Sequence, residues 1–240
     1  MNLLLYSGGK DSTACLELYR NRLEDILVVW VNSGAPYPSL VRFMDRVRKT
    51  VPNFLEVKGN QPEWIRENGY PVDVLPVNNT RLNSNLYGAT GVMLQSYMTC
   101  CGANLWGPIA KTIADLEPKQ VICGLRKTES PDNLALRVQA RDVEWVFPIK
   151  DWTDEEVFRY LGEKGVRLEE GYLSGEKKSR DCWNCTAWLW EDPARYDNLD
   201  DGQKKEVALR LAEIRSVLDK EISPFVEANR RLGKWLTQHT

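Results

Sequence analysis

One histidine, His239, stands in the whole 240-residue chain, next to its last residue. That scarcity excludes histidine triads, histidine-rich metal sites and a histidine base in the core, and leaves His239 as a solvated tail residue. Long hydrophobic runs are missing too: no apolar stretch approaches the length that crosses a bilayer, so no membrane partner is expected. Charge of one sign is absent in bulk, since 32 basic and 34 acidic residues give a net −2. Such a balance gives no overall footprint for nucleic acid, although a local basic face stays open. Met1 leads straight into an apolar run, where no signal or transit peptide fits, and the expected compartment is the cytoplasm. No internal repeat or low-complexity tract interrupts the chain.

What is present is a regular alternation. The runs Leu3–Tyr6, Ile26–Val31, Phe54–Val57 and Lys119–Gly124 have strand length, and Trp145–Ile149 is a shorter apolar run. Between and after them fall helix-like stretches at about 11–22, 39–50, 107–116 and 153–164. In the last, Thr153 stands at the N-cap with Glu156 three residues on, the pattern of a capping box. Alternating strands and helices predict an α/β fold, Rossmann-like, with a parallel sheet and helices on both faces. Residues 58–106, rich in Asn, Gly, Pro and Tyr, read as irregular structure near the site. After Glu169 the pattern shifts to a Cys/Trp-rich segment and two amphipathic helices, near 203–220 and 224–236. The expected division is therefore 1–168, an α/β domain, and 169–240, a small, mainly helical C-terminal lobe.

The first strand ends in Ser7-Gly8-Gly9-Lys10-Asp11-Ser12, and a helix follows at once. A strand–turn–helix junction aims backbone N–H groups and a helix N-terminus at one spot, where an anion can sit. The glycines let the backbone crowd a phosphate, Lys10 adds charge, and the serines add hydroxyl donors. The spacing is not that of a Walker A loop, which argues against a β,γ-phosphate cradle. A strand ending in SGGKDS resembles the PP-loop of the ATP pyrophosphatase (adenine nucleotide α-hydrolase) superfamily. That resemblance implies ATP as ligand, AMP as product, Lys10 and Asp11 as catalytic groups and a magnesium ion helped by Asp11.

Further segments resemble the phosphoadenylyl-sulfate reductase family. Residues 31–40 (VNSGAPYPSL) are similar to its second-strand turn, placing Asn32, Ser33 and Gly34 at the nucleotide, with Asn32 where the family usually has Asp. Residues 123–130 (CGLRKTES) are similar to its GxRxxES motif, bringing in Gly124, Arg126, Glu129 and Ser130, with Arg137 and Arg141 following. Residues 148–153 (PIKDWT) are similar to its DWT helix start. The resemblance implies that Arg126, Arg137 and Arg141 hold phosphate or sulfate oxygens, as guanidinium groups do in bidentate fashion. Arg126 is assigned a catalytic role on that basis; a surface salt bridge is its alternative reading, and solvated charge that of the other two.

Six cysteines stand at 15, 100, 101, 123, 182 and 185. Cys100 and Cys101 are adjacent, Cys182 and Cys185 form a CxxC, and four thiolates suit zinc or an iron–sulfur cluster. Adjacent cysteines point apart and serve a single ion poorly, which favours a four-iron four-sulfur cluster over zinc or redox thiols. The CC…CxxC set also resembles the cluster ligands of assimilatory adenylyl-sulfate reductases. Trp183, Trp188 and Trp190 would shield such a site, or serve as core aromatics. Cys15 and Cys123 read as buried structural thiols. No cysteine follows Cys185, whereas the reductases attack with a tail cysteine. Three functions follow: an ATP α-hydrolase with a cluster, adenylating an acceptor (nucleic acid among the candidates) for a sulfur donor; a sulfonucleotide reductase using an external thiol; or a non-enzymatic nucleotide-binding module that meets a protein partner through its C-terminal helices.

Overall fold

The computed structural model describes residues 1–88, 91–129, 143–173, 181–189 and 193–239. In chain order the elements are β1 (Asn2–Leu5), α1 (Lys10–Leu18), β2 (Ile26–Asn32), α2 (Pro38–Arg48), β3 (Phe54–Lys58), α3 (Gln61–Asn68), β4 (Tyr70–Val72), α4 (Arg81–Tyr87) and β5 (Leu94–Ser96). Then come α5 (Tyr97–Cys101), which runs through a π-helical stretch into α6 (Gly107–Leu116), then β6 (Gln120–Ile122), β7 (Glu144–Val146), α7 (Asp154–Glu163), α8 (Glu170–Leu173) and α9 (Asp201–His239). Backbone contacts gather these into two compact units: Met1–Pro62 with Cys101–Trp183, and Glu63–Cys100 with Asn184–Thr240. Each unit draws on two separate stretches, unlike the contiguous 1–168 and 169–240 division expected from composition.

The first unit is built on a five-stranded parallel sheet in the order β3-β2-β1-β6-β7. β1 lies at its centre, with Leu3 in register with Leu27 on one side and Val121 on the other. Strand alternation decides what each face buries. Leu3, Leu5, Val29 and Val121 pack with Ile113, against which Ile109, Ala110 and Leu116 of α6 also lie. Leu4, fully buried, points to the opposite face. Parallel connections are right-handed, so the β1–β2 and β2–β3 crossovers put α1 and α2 on one face, and the return to β6 puts α6 on the other. α7 packs on α1, and α8 on α2. The expected α/β architecture, with helices on both faces, is the one found. Three of the four strand-length runs match β1, β2 and β3 to within a residue at either end, whereas the run at 119–124 forms only the shorter β6.

The second unit joins the parallel pair β4–β5 to α9, through a core of Val72, Leu94, Ile214 and Val217. Gly69 turns the chain into β4 with φ +90°, and an added Cβ would meet the Met93 carbonyl oxygen at 2.0 Å, so only glycine fits. Thr186 Oγ1 donates to the Pro71 carbonyl at 2.8 Å, and Asp73 accepts from the Trp188 N–H at 2.7 Å. Residues 58–106, expected to be irregular, instead hold three helices and two strands. Short elements with Pro71 and scattered Asn residues carry little periodicity, which hid them.

The C-terminal region also departs from expectation. Pro224 does not separate two helices; α9 is continuous across it. The proline strips the Lys220 carbonyl of its helical partner, but both residues are exposed, so water can replace the lost bond. The Ser223 hydroxyl meanwhile donates to the Asp219 carbonyl at 2.7 Å. The first helix is shorter than expected: α1 stops at Leu18 and a 3-10 turn, Arg20–Asp25, carries the chain to β2. No helix among the described residues is long and apolar enough to cross a membrane.

Candidate functional site

The loop after β1 is shaped by two glycines that have different roles. Gly8 has φ +80°, and an added Cβ would meet Leu40 at 2.7 Å and Met44 at 2.8 Å, so the loop lies hard against α2. Gly124, at the end of β6, is held for space alone. A Cβ there would sit 2.7 to 2.9 Å from the Asp11 and Ser12 backbone, so the strand end runs directly under the start of α1. Gly9 occupies the N-cap of α1 and has no side chain to accept the first-turn N–H groups. Ser12 folds inward: its hydroxyl donates to the Gly9 carbonyl at 3.0 Å and lies 3.2 Å from the Ser7 hydroxyl. The two serines brace the loop.

Lys10 is almost wholly buried, at 4% exposure, yet its ammonium group is fully paired. Nζ lies 2.6 Å from Asp11 and 2.8 Å from Asp154. Arg126, also buried, reaches the same carboxylates, with Nη2 2.9 Å from Asp154 and Nε 3.1 Å from Asp11 Oδ1. That last contact is an ion pair without hydrogen-bond alignment, so Nε and Asp11 Oδ1 are both buried polar atoms with no aligned partner. Glu129 accepts the Arg126 backbone N–H at 3.1 Å and fixes the turn that presents the guanidinium. The Asp154 carboxyl is held below the usual carboxylate range, by the Lys10 hydrogen bond first and by Arg126 as well. Asp154 is the first residue of α7, whose start is fixed by the expected capping box of Thr153 and Glu156. Tyr172, from α8, accepts the Lys10 backbone N–H at 3.2 Å, and burial pushes its hydroxyl pKa up.

Lys10, Asp11 and Arg126, singled out in the sequence, are thus brought together, with Ser7, Gly8, Gly9, Ser12, Gly124 and Glu129 shaping or bracing their surroundings. Asp154 and Tyr172 were not foreseen. Asp154 had one signal, its place directly after a helix cap in the DWT segment; Tyr172 had none. Ser130, Arg137, Arg141 and Trp190 lie outside the described residues.

Asn32, Ser33 and Gly34 lie at the carboxyl end of β2, the strand next to β1. Asn32 is itself tied down: its amide donates to Glu56 at 2.7 Å and its carbonyl accepts the Gly34 N–H at 3.0 Å. It shapes a turn in which Gly34 takes φ +96°. Beside it a cavity of about 610 Å³ opens, with apolar walls of Ala35, Pro36, Pro38 and Val41, the Trp183 ring, and Arg42 and Lys58 among its polar lining. Trp183 is anchored by its N–H to the Ala35 carbonyl at 3.0 Å.

Cys15 and Cys123 are buried free thiols, as expected; burial pushes the pKa of Cys123 up to about 12, and that of Cys15 up as well. Of the CC…CxxC set, Cys101 and Cys182 belong to the first unit, and Cys100 and Cys185 to the second. The Cys182 thiol donates to the Ser33 hydroxyl at 3.1 Å. The Cys185 carbonyl accepts from Arg195 at 2.8 Å and from the Tyr196 hydroxyl at 2.7 Å, fixing that end of the CxxC. Among the described residues no three His, Cys, Asp or Glu side chains are gathered as metal ligands.

The parallel sheet, the glycine loop at its central strand and the paired Lys10 and Arg126 define an α/β protein with a candidate anion cradle at the carboxyl end of the sheet. The family described as "Phosphoadenosine phosphosulfate reductase domain" matches residues 1–188, and this chain belongs to it. Among curated relatives, the phosphoadenosine 5'-phosphosulfate reductase of Yersinia pseudotuberculosis (serotype O:1b, strain IP 31758) is 26% identical over 180 residues, covering 72% of this chain and 67% of the relative. That of Proteus mirabilis (strain HI4320) is 23% identical over the same coverage. Among solved structures, phosphoadenylyl-sulfate reductase from Candida auris, in a phosphate complex, superposes with a TM-score of 0.50 at 15% identity, covering 74% of this chain and 80% of that one, a likeness of fold.

Proposed function

We propose that this chain binds an adenosine 5'-phosphosulfate or its 3'-phosphorylated form and acts as a sulfonucleotide reductase that takes its thiol from a separate molecule. The observation that carries the reading is the family match over residues 1–188, together with the Lys10–Arg126 cradle on the central strand. The phosphosulfate would lie on the first-turn N–H groups of α1, taking the Lys10 N–H over from Tyr172, between Lys10 and Arg126. The cavity bordered by Trp183 suits the adenine ring, which stacks on aromatic faces. An external thiolate attacks the sulfur, the bridging S–O bond breaks, and AMP (or its 3'-phosphate) leaves with the electron pair. Lys10 and Arg126 stabilise the charge that gathers on the departing phosphate. A second thiol then displaces sulfite from the S-sulfo adduct, oxidising two thiols to a disulfide and reducing the sulfur. Supplying adenylyl-sulfate or its 3'-phosphorylated form with reduced thioredoxin should yield sulfite and the nucleotide monophosphate in equal amounts; nucleotide binding with no sulfite sinks the reading.

One observation favours a second reading. Lys10 in the SGGKDS loop gives the cradle a cation suited to pyrophosphate, so an acceptor oxygen would attack the α-phosphorus of ATP and release pyrophosphate, and a sulfur donor would then displace AMP from the adenylated acceptor. Asp11 would help hold magnesium there, released from its ion pairs as the phosphates take Lys10 and Arg126. Both readings accommodate a four-iron four-sulfur cluster on Cys100, Cys101, Cys182 and Cys185, with zinc as the alternative: the donor set is all thiolate, which suits either, and the group would supply structural support. Iron and acid-labile sulfide in anaerobically purified protein, lost together on substituting Cys182, support the cluster.

A further inference from the structure

The phosphate cradle is filled by the chain's own groups. Lys10 and Arg126 bring two positive charges; Asp11 and Asp154 bring two negative ones, all within ion-pair distance. The Lys10 backbone N–H, one of the donors that a helix start offers to an anion, is taken by the Tyr172 hydroxyl. The two cations and the Lys10 N–H, which a phosphate would engage at this spot, are thus already engaged by side chains. Tyr172 is a neutral acceptor, and charge-assisted bonds to phosphate oxygens are about twice as strong as neutral ones. Arg126 Nε has no aligned acceptor at all.

We infer that Asp154 and Tyr172 are positioning residues that occupy the phosphate cradle in the ligand-free protein and leave it when a phosphoanion binds. Asp154 is free to do so, since its side chain is 55% exposed while Lys10 and Arg126 stay buried at 5% and 10%. It enters from the first turn of α7, and Tyr172 from α8, so neither belongs to the loop that it plugs. The two stand-ins keep Lys10 and Arg126 oriented without a ligand, and each lowers the affinity of the ligand that must displace it. The inference rests on the reading that the loop is a phosphate site, although not on which nucleotide it takes.

Calorimetric titration with inorganic pyrophosphate and with AMP tests it, on the wild type, Asp154→Asn, Asp154→Glu and Tyr172→Phe. Asp154→Asn is expected to bind pyrophosphate about fivefold more tightly, the scale of one partly exposed ion pair. Asp154→Glu should restore wild-type affinity, a rescue that a structural role for the side chain would not produce together with tighter binding by the amide. Tyr172→Phe should also tighten binding, by about twofold, and serves as the independent arm should Asp154→Asn fail to fold. Pyrophosphate affinity that is unchanged or weaker in both variants overturns the inference. Wild-type binding of pyrophosphate without any adenine nucleotide would remove the proposed function and leave this inference standing. Nucleotide binding by the wild type with no gain in the variants would do the reverse, and no phosphate binding by any of the four proteins would overturn both.

Discussion

Gly124→Ala is the substitution that tests most directly how the cradle is built. The added Cβ would lie 2.7 Å from the Asp11 carbonyl carbon, 2.8 Å from its oxygen and 2.9 Å from the Ser12 nitrogen. All three are backbone atoms in the first turn of a packed helix, so no flexible side chain can give way. Overpacking of this kind costs about 1–3 kcal/mol, offset by about 0.4–1 kcal/mol from the smaller entropy of an unfolded alanine. The net is at most about 2.6 kcal/mol and centres on about 1.3 kcal/mol, a melting temperature lower by about 3–5 °C in a chain of this size. The relief has to come from α1 moving away from β6, which carries Lys10 and Asp11 off Arg126. Pyrophosphate affinity should therefore fall by an order of magnitude or more, beyond what the stability loss explains. Gly162→Ala is the control: nothing lies within 4 Å of its added Cβ, and it sits inside α7. There alanine should stabilise by about 0.5–1 kcal/mol through helix propensity alone. Thermal melts of the two variants beside the wild type decide the matter. A Gly124→Ala protein that melts and binds as the wild type does would refute the close approach of β6 to α1.

Lys10→Met should abolish measurable pyrophosphate binding, and with it any sulfite or AMP release, while circular dichroism shows the fold intact; retained turnover would remove Lys10 from the chemistry. Glu56 is pushed up by burial but held below the usual range by the Asn32 amide and Arg48, so its contribution to stability is present above the unfolded carboxylate value, about 4.3, and is lost as pH falls below it. Glu56→Gln should accordingly destabilise the protein at pH 7 and show a shallower loss between pH 5 and 3 in denaturant titrations; a parallel pH profile would contradict this. Pro224→Ala should raise helical ellipticity and stability, since a proline inside a helix costs about 3 kcal/mol relative to alanine; a drop would mean that the chain needs the missing N–H at that point.

The parts legible in the sequence were those that physics writes locally. Apolar runs of strand length set between helical stretches fix a parallel sheet, and Thr153 with Glu156 fixes a helix start to the residue, because a capping box is satisfied within four positions. The loop at 7–12 was legible as a turn from strand to helix for the same reason, its glycines marking where the chain leaves β1 for α1. What stayed hidden was non-local. Tyr172 meets Lys10 across 162 positions, and no spacing rule connects them. Residues 63–100 and 184–240 pair into one unit through Val72, Leu94, Ile214 and Val217, four ordinary aliphatics that any short element might carry. Gly124 was read through its motif as a ligand contact, and its close packing on the backbone at Asp11 and Ser12 is a further demand for glycine that the motif did not reveal. The continuous α9 shows the limit of local rules from the other side, since a proline can be carried inside a long helix at a cost, where the exposed carbonyl it frees is left to water. The loop that dominates the sequence therefore supplies the shape of the candidate anion site, and residues more than 140 positions away, Asp154 and Tyr172, supply the groups that Lys10 meets there.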